Sequence, residues 1–259
     1  MPLFNNIKQE TKDIVEWMKL YSESSQNKGY VIGLSGGVDS SVVAALAVEA
    51  IGAENVHGVI MPIDSNSDDE TDAIQVAGGL GITYNIVDMT ESYNGMINVY
   101  PYDKQHRVND ILMKSNIKAR LRMTMLYQFA GEMNYLVAGT GNRSEDSIGY
   151  FTKYGDGGVD ILPVAQFYKW EIRQFALHLG LPEKIAFRVS TAGLYHGQTD
   201  EEELGITYEV LDNFLMYIDK QYPVKLMDEA HDRFHELMTL VVKNYHKSEY
   251  PPIYKRERI

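Results

Sequence analysis

The feature that most constrains the fold is a glycine-rich turn between two apolar segments. An apolar run at residues 30–32 leads into Gly33-Leu34-Ser35-Gly36-Gly37-Val38-Asp39-Ser40-Ser41, and an apolar-rich segment at residues 42–51 follows it. This order predicts a buried strand, a tight turn and a helix. Glycines let the backbone approach an anion closely, and the N–H groups of such a turn and of the first helical turn face the same point. The pattern therefore predicts a phosphate-binding site.

The turn is not of the Walker A type, because no lysine follows the glycines. Asp39 places a carboxylate beside the bound phosphate, which is repulsive unless a cation lies between them, so Asp39 is a candidate Mg²⁺ ligand. The alternative is a plain strand-to-helix turn with Asp39 as an ordinary helix-start residue. The full Ser-Gly-Gly-Val-Asp-Ser pattern favours the nucleotide site. It resembles the pyrophosphate-binding loop of the N-type ATP pyrophosphatases, which cleave ATP to AMP and pyrophosphate.

Strand and helix patterns alternate along the chain, which predicts an α/β fold with a doubly wound, mainly parallel sheet, flanking helices, and further helices at both termini. Further strands are predicted at residues 56–61, 82–87 and 135–138, and helices at 4–26, 39–51, 72–80, 170–179, 208–217 and 226–245. In such sheets ligands bind at the carboxyl ends of the strands. The glycine-rich turn lies at one such end.

A second loop follows the strand at residues 135–138 and should face the same crevice. Within it Thr140 offers a hydroxyl and Glu145 a second carboxylate. Carboxylates that converge from two strands can hold Mg²⁺ bound to phosphates, whereas Glu145 alone would be a surface acid. The pairing of Asp39 with Glu145 is therefore the candidate metal site.

Three further segments leave two interpretations open each. The basic segment at residues 103–122 is either a solvated face or an anion site, with Lys114, Lys118 and Arg122 on one helix face. The glycine-rich segment at residues 149–163 is either a decorated hairpin or a ring-stacking loop. The polar segment at residues 190–203 is either a mobile loop over a site or a connector.

His231 and His235 have a zinc-like spacing of four residues, but no third metal ligand is evident, so we expect both to be surface residues.

Composition narrows the class of protein. The 259 residues carry 24 Lys and Arg against 36 Asp and Glu, a net charge of −12, which argues against nucleic acid as a partner. No segment is apolar enough to span a membrane, and the first six residues have no secretory pattern. Zero cysteines fit a reducing compartment. We therefore expect a cytoplasmic protein.

Five segments, in order along nearly the whole chain, resemble the NAD⁺ synthetase family. They are residues 35–40 (Ser-Gly-Gly-Val-Asp-Ser), 116–123 (Asn-Ile-Lys-Ala-Arg-Leu-Arg-Met), 139–145 (Gly-Thr-Gly-Asn-Arg-Ser-Glu), 149–158 (Gly-Tyr-Phe-Thr-Lys-Tyr-Gly-Asp-Gly-Gly) and 197–205 (Gly-Gln-Thr-Asp-Glu-Glu-Glu-Leu-Gly). The fourth segment is the most specific, since the first alone fits any N-type ATP pyrophosphatase.

The resemblance implies an adenine nucleotide alpha hydrolase-like fold and a ligase reaction in two steps. The carboxylate of deamido-NAD⁺ attacks the α-phosphorus of ATP, and ammonia then displaces AMP from the adenylated carboxylate to give NAD⁺. No side-chain nucleophile is implied. Two alternatives remain: an N-type pyrophosphatase that amidates or thiolates another nucleotide, and a nucleotide-binding regulator without catalysis.

The resemblance also implies site residues. The ATP contacts are Gly33, Leu34, Ser35, Gly36, Gly37, Val38, Asp39, Ser40, Thr140, Lys169 and Thr191. The Mg²⁺ ligands are Asp39 and Glu145. The deamido-NAD⁺ contacts are Arg120, Lys153, Asp160, His246 and Lys247. The family is homodimeric, so we expect a homodimer. Its glutamine-dependent relatives carry a glutaminase domain with a catalytic cysteine. Because this sequence has no cysteine and no room for that domain, we expect free ammonia to be the nitrogen donor.

The chain departs from the common family pattern in three places. Met61-Pro62 stands where Arg-Leu-Pro is common, so an ATP-contacting arginine is missing there. Residues 140–145 replace Thr-Asp-His-Ala-Ala-Glu, and residues 190–194 replace Pro-Thr-Ala-Asp-Leu. We expect a single domain over residues 1–259, with a nucleotide-binding core at about 28–190, a mobile loop at about 190–205 and C-terminal helices at about 206–259.

Overall fold

A four-stranded parallel sheet forms the centre of the computed structural model, which describes residues 6–64, 67–100, 110–191, 199–220, 222–249 and 251–253. The strands are β1 (Tyr30–Gly33), β2 (Val56–Ile60), β3 (Thr83–Ile86) and β4 (Leu136–Val137), in the spatial order β3-β2-β1-β4. Tyr30 pairs with Val56 on one side and with Leu136 on the other. The predicted parallel sheet is confirmed, and the strand order reverses between β1 and β4.

Helices cover both faces of the sheet. They are α1 (Ile7–Ser25), α2 (Val38–Ile51), α3 (Ser67–Leu80), α4 (Thr90–Val99), α5 (Asp110–Met133), α6 (Arg143–Ile148), α7 (Lys169–His178), α8 (Glu183–Ala186), α9 (Asp200–Leu204), α10 (Tyr208–Asp219), α11 (Asp228–Asp232) and α12 (Phe234–Asn244). Short 3₁₀ turns lie at Ala53–Asn55 and Tyr245–Lys247. Among the described helices, none is long and apolar enough to cross a membrane.

Two apolar layers hold the sheet between the helices. On one face, α1, α2 and α7 pack around Met18, Val42 and Phe175. On the other face, α4 and α5 pack around Tyr93 and Ala130. Full burial of a large apolar side chain contributes about 1.5–3 kcal/mol, so these layers fix the sheet and, with it, the loops at its carboxyl edge.

The C-terminal helices form a third core with α6 and the start of α7. Phe214 of α10 lies there edge-on to Phe234 of α12, with 5.4 Å between the ring centroids. The single helix expected at residues 226–245 was wrong, because α11 ends before Arg233 and α12 begins after it. Arg233 donates hydrogen bonds to the Gly205 carbonyl and to Glu236. No glycine or proline marks this break, so tertiary contacts favour it.

Two segments expected to be loops contain helices. Glu145 lies in α6, where the Asn142 side chain accepts a hydrogen bond from the Glu145 N–H. In the polar segment at residues 190–203, α9 follows Thr199, whose hydroxyl accepts from the Glu202 N–H. The prediction of a mobile loop there falls partly on residues 192–198, which lie outside the described residues, as do 103–109 of the basic segment.

Candidate active site

The glycine-rich turn connects β1 to α2, as the sequence predicted. Gly36 has a φ of +75°, and a Cβ at that position would lie 2.6 Å from the Asp69 carbonyl oxygen. Only glycine adopts this conformation without strain in so little space. The Ser40 and Ser41 hydroxyls donate to the Gly37 carbonyl at 3.1 and 2.7 Å. These contacts fix the backbone conformation of the turn at the carboxyl end of β1.

Lys169 joins the two acids that the sequence paired. Its Nζ atom lies 2.7 Å from Asp39 Oδ2 and 2.9 Å from Glu145 Oε1, and its side chain is 2 % exposed. Asn142 Nδ2 donates to Asp39 Oδ1 at 2.8 Å. The elements α2, α6 and α7 therefore bring three charged side chains to one point. Asn142 belongs to the departures from the common family pattern, and here it orients Asp39 and caps α6.

The charges of this cluster shift one another's protonation. Burial alone would lower the pKa of the Lys169 ammonium, but the Asp39 and Glu145 carboxylates outweigh it and hold that pKa above its usual value. Burial raises the pKa of the Glu145 carboxyl, and the charges of Asp39 and Asp200 raise it further, whereas Lys169 opposes the shift. A second cation beside Glu145 would therefore favour its ionised form.

The donor set fits a magnesium ion shared with nucleotide phosphates. Mg²⁺ takes oxygen ligands and is commonly held by one or two carboxylates plus substrate phosphates. Asp39 and Glu145 already accommodate one cation, the Lys169 ammonium, between them. Among the described residues no group of three or more His, Asp or Glu side chains is arranged to hold a metal ion, so phosphate oxygens would have to supply further ligands. The role of Asp39 and Glu145 as metal ligands remains a prediction that this geometry allows.

A cavity of about 760 Å³ opens at the carboxyl edge of the sheet and contains most of the expected ATP contacts. The lining includes Gly33, Leu34, Ser35, Gly37, Val38, Asp39, Ser40, Thr140, Glu145, Lys169 and Thr191. Gly36 is absent from the lining, and its carbonyl accepts a hydrogen bond from Arg188 at 2.9 Å. One cavity thus joins the glycine-rich turn, the loop after β4 and the start of α7.

The expected dinucleotide contacts divide into two groups. Lys247 lines the cavity and donates to the Gly149 carbonyl at 2.7 Å. Arg120, Lys153, Asp160 and His246 do not line it. Arg120 donates to the Lys153 carbonyl at 3.3 Å, and Lys153 Nζ donates to the His246 carbonyl at 2.9 Å. These three residues therefore form one chain of contacts on the surface outside the cavity.

Asp160 has two hydrogen-bond partners within the protein. Its carboxylate accepts hydrogen bonds from the Val137 N–H at 2.8 Å and from the Tyr127 hydroxyl at 3.0 Å. The first of these bonds satisfies the backbone N–H of Val137, the last residue of β4. The assignment of Asp160 as a contact of deamido-NAD⁺ stays a prediction.

Other cavity residues were not identified as site residues from the sequence. Arg122 lines the cavity and its Nε donates to the Met61 carbonyl at 3.1 Å, so a guanidinium from α5 reaches the position where the common arginine is missing. Asp156 also lines the cavity, and burial raises its pKa. For Arg122, the sequence did give one indication, because its spacing of four residues from Lys118 places both side chains on one helix face. Lys118 itself is buried and donates to the Ile63 carbonyl at 3.0 Å, so the basic helix is not simply a solvated face.

His231 and His235 are surface residues. The side chain of His231 is 77 % exposed and lies 3.6 Å from the Asp232 carboxylate. His235 is exposed as well. The expectation of surface histidines is confirmed.

The chain is similar in sequence to known proteins. A family model described as NAD synthase matches residues 10–255. The chain is 46 % identical over 211 residues to an NH(3)-dependent NAD(+) synthetase of Carboxydothermus hydrogenoformans, which covers 82 % of this chain and 86 % of that protein.

Two solved structures share the fold over nearly their whole length. An NMN synthetase from Francisella tularensis superposes with a TM-score of 0.84 at 31 % identity, covering 96 % of this chain and 99 % of that one. An NH3-dependent NAD synthetase from Campylobacter jejuni superposes with a TM-score of 0.78 at 28 % identity and the same coverage.

Proposed function

The chain belongs to the NAD synthase family, and on that premise we propose that it is a ligase that amidates deamido-NAD⁺ with ammonia. The reaction consumes ATP and releases AMP and pyrophosphate. The observation that carries the proposal is the cavity itself, in which the glycine-rich turn, Asp39, Glu145 and Lys169 meet. That arrangement suits a nucleoside triphosphate with its divalent cation.

The first step needs positioning and charge stabilisation rather than a side-chain nucleophile. An oxygen of the nicotinate carboxylate forms a bond to the α-phosphorus of ATP as the bond to pyrophosphate breaks. We assign Gly33 to Ser40, Thr140, Lys169 and Thr191 to ATP. The first turn of α2 faces the leaving pyrophosphate, and the buried ammonium of Lys169 offsets its developing charge.

Magnesium is part of the proposal. Asp39 and Glu145 would hold Mg²⁺ together with the ATP phosphates, and the ion would offset the charge of the leaving pyrophosphate. The Lys169 ammonium, which bridges the same two carboxylates, shares this role from the protein side.

In the second step ammonia attacks the activated carbonyl carbon, and the bond to AMP breaks. Ammonium has to lose a proton before its nitrogen can attack. Asp156 is one cavity carboxyl suited to accept it, because burial raises its pKa, and the departing AMP phosphate can take the proton that the nitrogen loses as the amide forms. We assign Arg120, Lys153, Asp160, His246 and Lys247 to the dinucleotide.

We also propose that the protein is a cytoplasmic homodimer. Arg120 and Lys153 lie on the surface beside the cavity and not in it, so a second subunit can complete the dinucleotide site there. The side chains of Met96, Val99 and Tyr100 at the end of α4 are also exposed. An apolar face of this kind is a common contact between subunits.

A second candidate function is amidation of nicotinate mononucleotide. The structure that superposes at a TM-score of 0.84 is named an NMN synthetase. A mononucleotide would occupy less of the surface outside the cavity, so Arg120 and Lys153 would matter less for it. The acceptor therefore has to be tested directly.

The test measures pyrophosphate release from ATP and Mg²⁺ with one acceptor and one nitrogen donor at a time. We expect release with deamido-NAD⁺ and ammonium, and much less with nicotinate mononucleotide or with glutamine. Asp39→Asn should fold normally and lose about 100-fold or more in turnover, because removing a metal ligand removes charge stabilisation of the leaving group. Preference for the mononucleotide would replace the first proposal by the second. Release without any acceptor, or a wild-type rate in Asp39→Asn, would contradict both.

A further inference from the structure

Tyr208, the first residue of α10, contacts the charged cluster formed by Asp39, Glu145 and Lys169. Its hydroxyl lies 3.1 Å from Glu145 Oε1 and 3.0 Å from Asp200 Oδ2. The Lys169 ammonium lies over its ring, 4.8 Å from the ring centroid. The side chain is 2 % exposed. One tyrosine therefore contacts both the expected metal ligand and the cation that bridges it to Asp39.

The two hydrogen bonds compete. A phenol carries one proton, so Tyr208 can donate to Glu145 or to Asp200 but not to both at once. A donor at Glu145 Oε1 fixes the rotamer of that carboxylate and favours its ionised form. The contact to Asp200 ties the same hydroxyl to α9.

A second contact from α10 supports the same cluster. Asp212 lies one helical turn after Tyr208 and accepts hydrogen bonds from the Ser144 hydroxyl and from the Trp170 N–H. Ser144 precedes Glu145, and Trp170 follows Lys169. Asp212 of α10 thus contacts the residues next to both charged residues, while Tyr208 contacts the side chains of Glu145 and Lys169.

We propose that Tyr208 is a positioning residue for divalent-cation binding, which acts by holding the Glu145 carboxylate toward Asp39 and the Lys169 ammonium against its ring. The inference rests on the proposed function, since it concerns the cation that accompanies ATP. Partners of metal ligands commonly contribute 10- to 100-fold to metal affinity. A purely structural tyrosine would contribute to stability and leave that affinity unchanged.

The experiment compares Tyr208→Phe with Tyr150→Phe. Phenylalanine keeps the ring and the packing and removes only the hydroxyl. Tyr150 donates to the same residue, Asp200, at 3.3 Å and to Glu203 at 2.8 Å. The pair therefore separates a hydroxyl on the metal ligand from a hydroxyl on its acidic neighbours.

Calorimetry with α,β-methylene-ATP, which cannot be cleaved between those phosphates, gives the Mg²⁺ concentration at half-saturation. We expect Tyr208→Phe to raise it about tenfold and Tyr150→Phe to change it less than about twofold. Thermal melts check that both variants fold. Equal Mg²⁺ dependence in Tyr208→Phe and the wild type would overturn the inference, and so would equal losses in both variants.

Asp200→Asn provides an independent test in which Tyr208 is retained. The neutral amide competes less for the tyrosine proton, so Glu145 keeps its donor and the Mg²⁺ affinity should stay within about threefold. A tenfold loss there would mean that Asp200 serves the cation directly and would overturn the assignment to Tyr208. Nucleotide binding by the wild type without Mg²⁺ dependence would instead remove the metal from the proposed function, and the inference with it.

Discussion

At the scale of single residues, burial of carboxyl groups makes stability depend on pH. Asp212 is fully buried, and burial raises its pKa from 3.8 to about 7. A carboxyl with a raised pKa contributes stability below its unfolded pKa, and this contribution is lost as the pH rises through the folded value. The difference corresponds to at most roughly 4 kcal/mol. Between pH 4 and pH 7 the wild type should therefore lose stability.

We expect Asp212→Asn to flatten this fall, because the amide cannot ionise. Urea unfolding at pH 5 and at pH 8 gives the two free energies of unfolding for each protein. Asp232→Asn is the matched control, since that side chain is 82 % exposed, and its pH dependence should equal that of the wild type. The same slope in Asp212→Asn and the wild type would assign the effect to other buried carboxyls, such as Asp156.

At the scale of elements, β2 and the glycine-rich turn are packed against each other through Gly58. A Cβ at Gly58 would lie 2.5 Å from Leu34 Cδ1, and Leu34 lines the cavity. Overpacking of a buried site costs about 1–3 kcal/mol. We expect Gly58→Ala to lower the melting temperature and, because Leu34 has to move, to raise the KM for ATP several-fold. Steady-state kinetics and thermal melts measure both.

The control for Gly58→Ala is Gly78→Ala in α3. Nothing lies within 4 Å of a Cβ there, so the change should stabilise the helix by about 0.5–1 kcal/mol and leave the KM for ATP unchanged. If Gly58→Ala lost stability without any change in that KM, the strand and the turn would not be coupled.

Elements built from local pattern were predicted well from the sequence. The helix expected from residue 39 to residue 51 runs over Val38–Ile51, and each predicted strand exists within two residues of its bounds. The break at Arg233 was missed, because its cause is a contact with Gly205, far away in the sequence. Local pattern carries the apolar periodicity of an element, whereas such contacts depend on the whole fold.

The site was predictable only in part for the same reason. Asp39 and Glu145 follow from loops at strand ends, but Lys169 was named only by resemblance, and Tyr208 was not named at all. Lys169 lies 130 positions from Asp39 in the sequence, and only the packing of α7 against α2 brings the ammonium to the carboxylate. The apolar periodicity of the sequence contains no information about that contact.

At the scale of the whole molecule, the proposed homodimer makes one prediction that a single subunit does not. Val99 at the end of α4 is 80 % exposed, and Val242 on α12 is 67 % exposed. If α4 lies in the subunit contact, Val99→Lys places a charge in an apolar interface, whereas Val242→Lys adds one to open surface. Burying an unpaired charge is costly, so we expect Val99→Lys to raise the dimer dissociation constant at least tenfold.

Sedimentation equilibrium measures that constant, and Val242→Lys should leave it at the wild-type value. The KM for deamido-NAD⁺ should rise with dissociation and the KM for ATP should not, because the ATP contacts lie within one subunit's cavity while Arg120 and Lys153 lie outside it. A monomeric wild type with full activity would contradict the dimer. A dimer that both variants leave intact would place its interface on another face of the molecule.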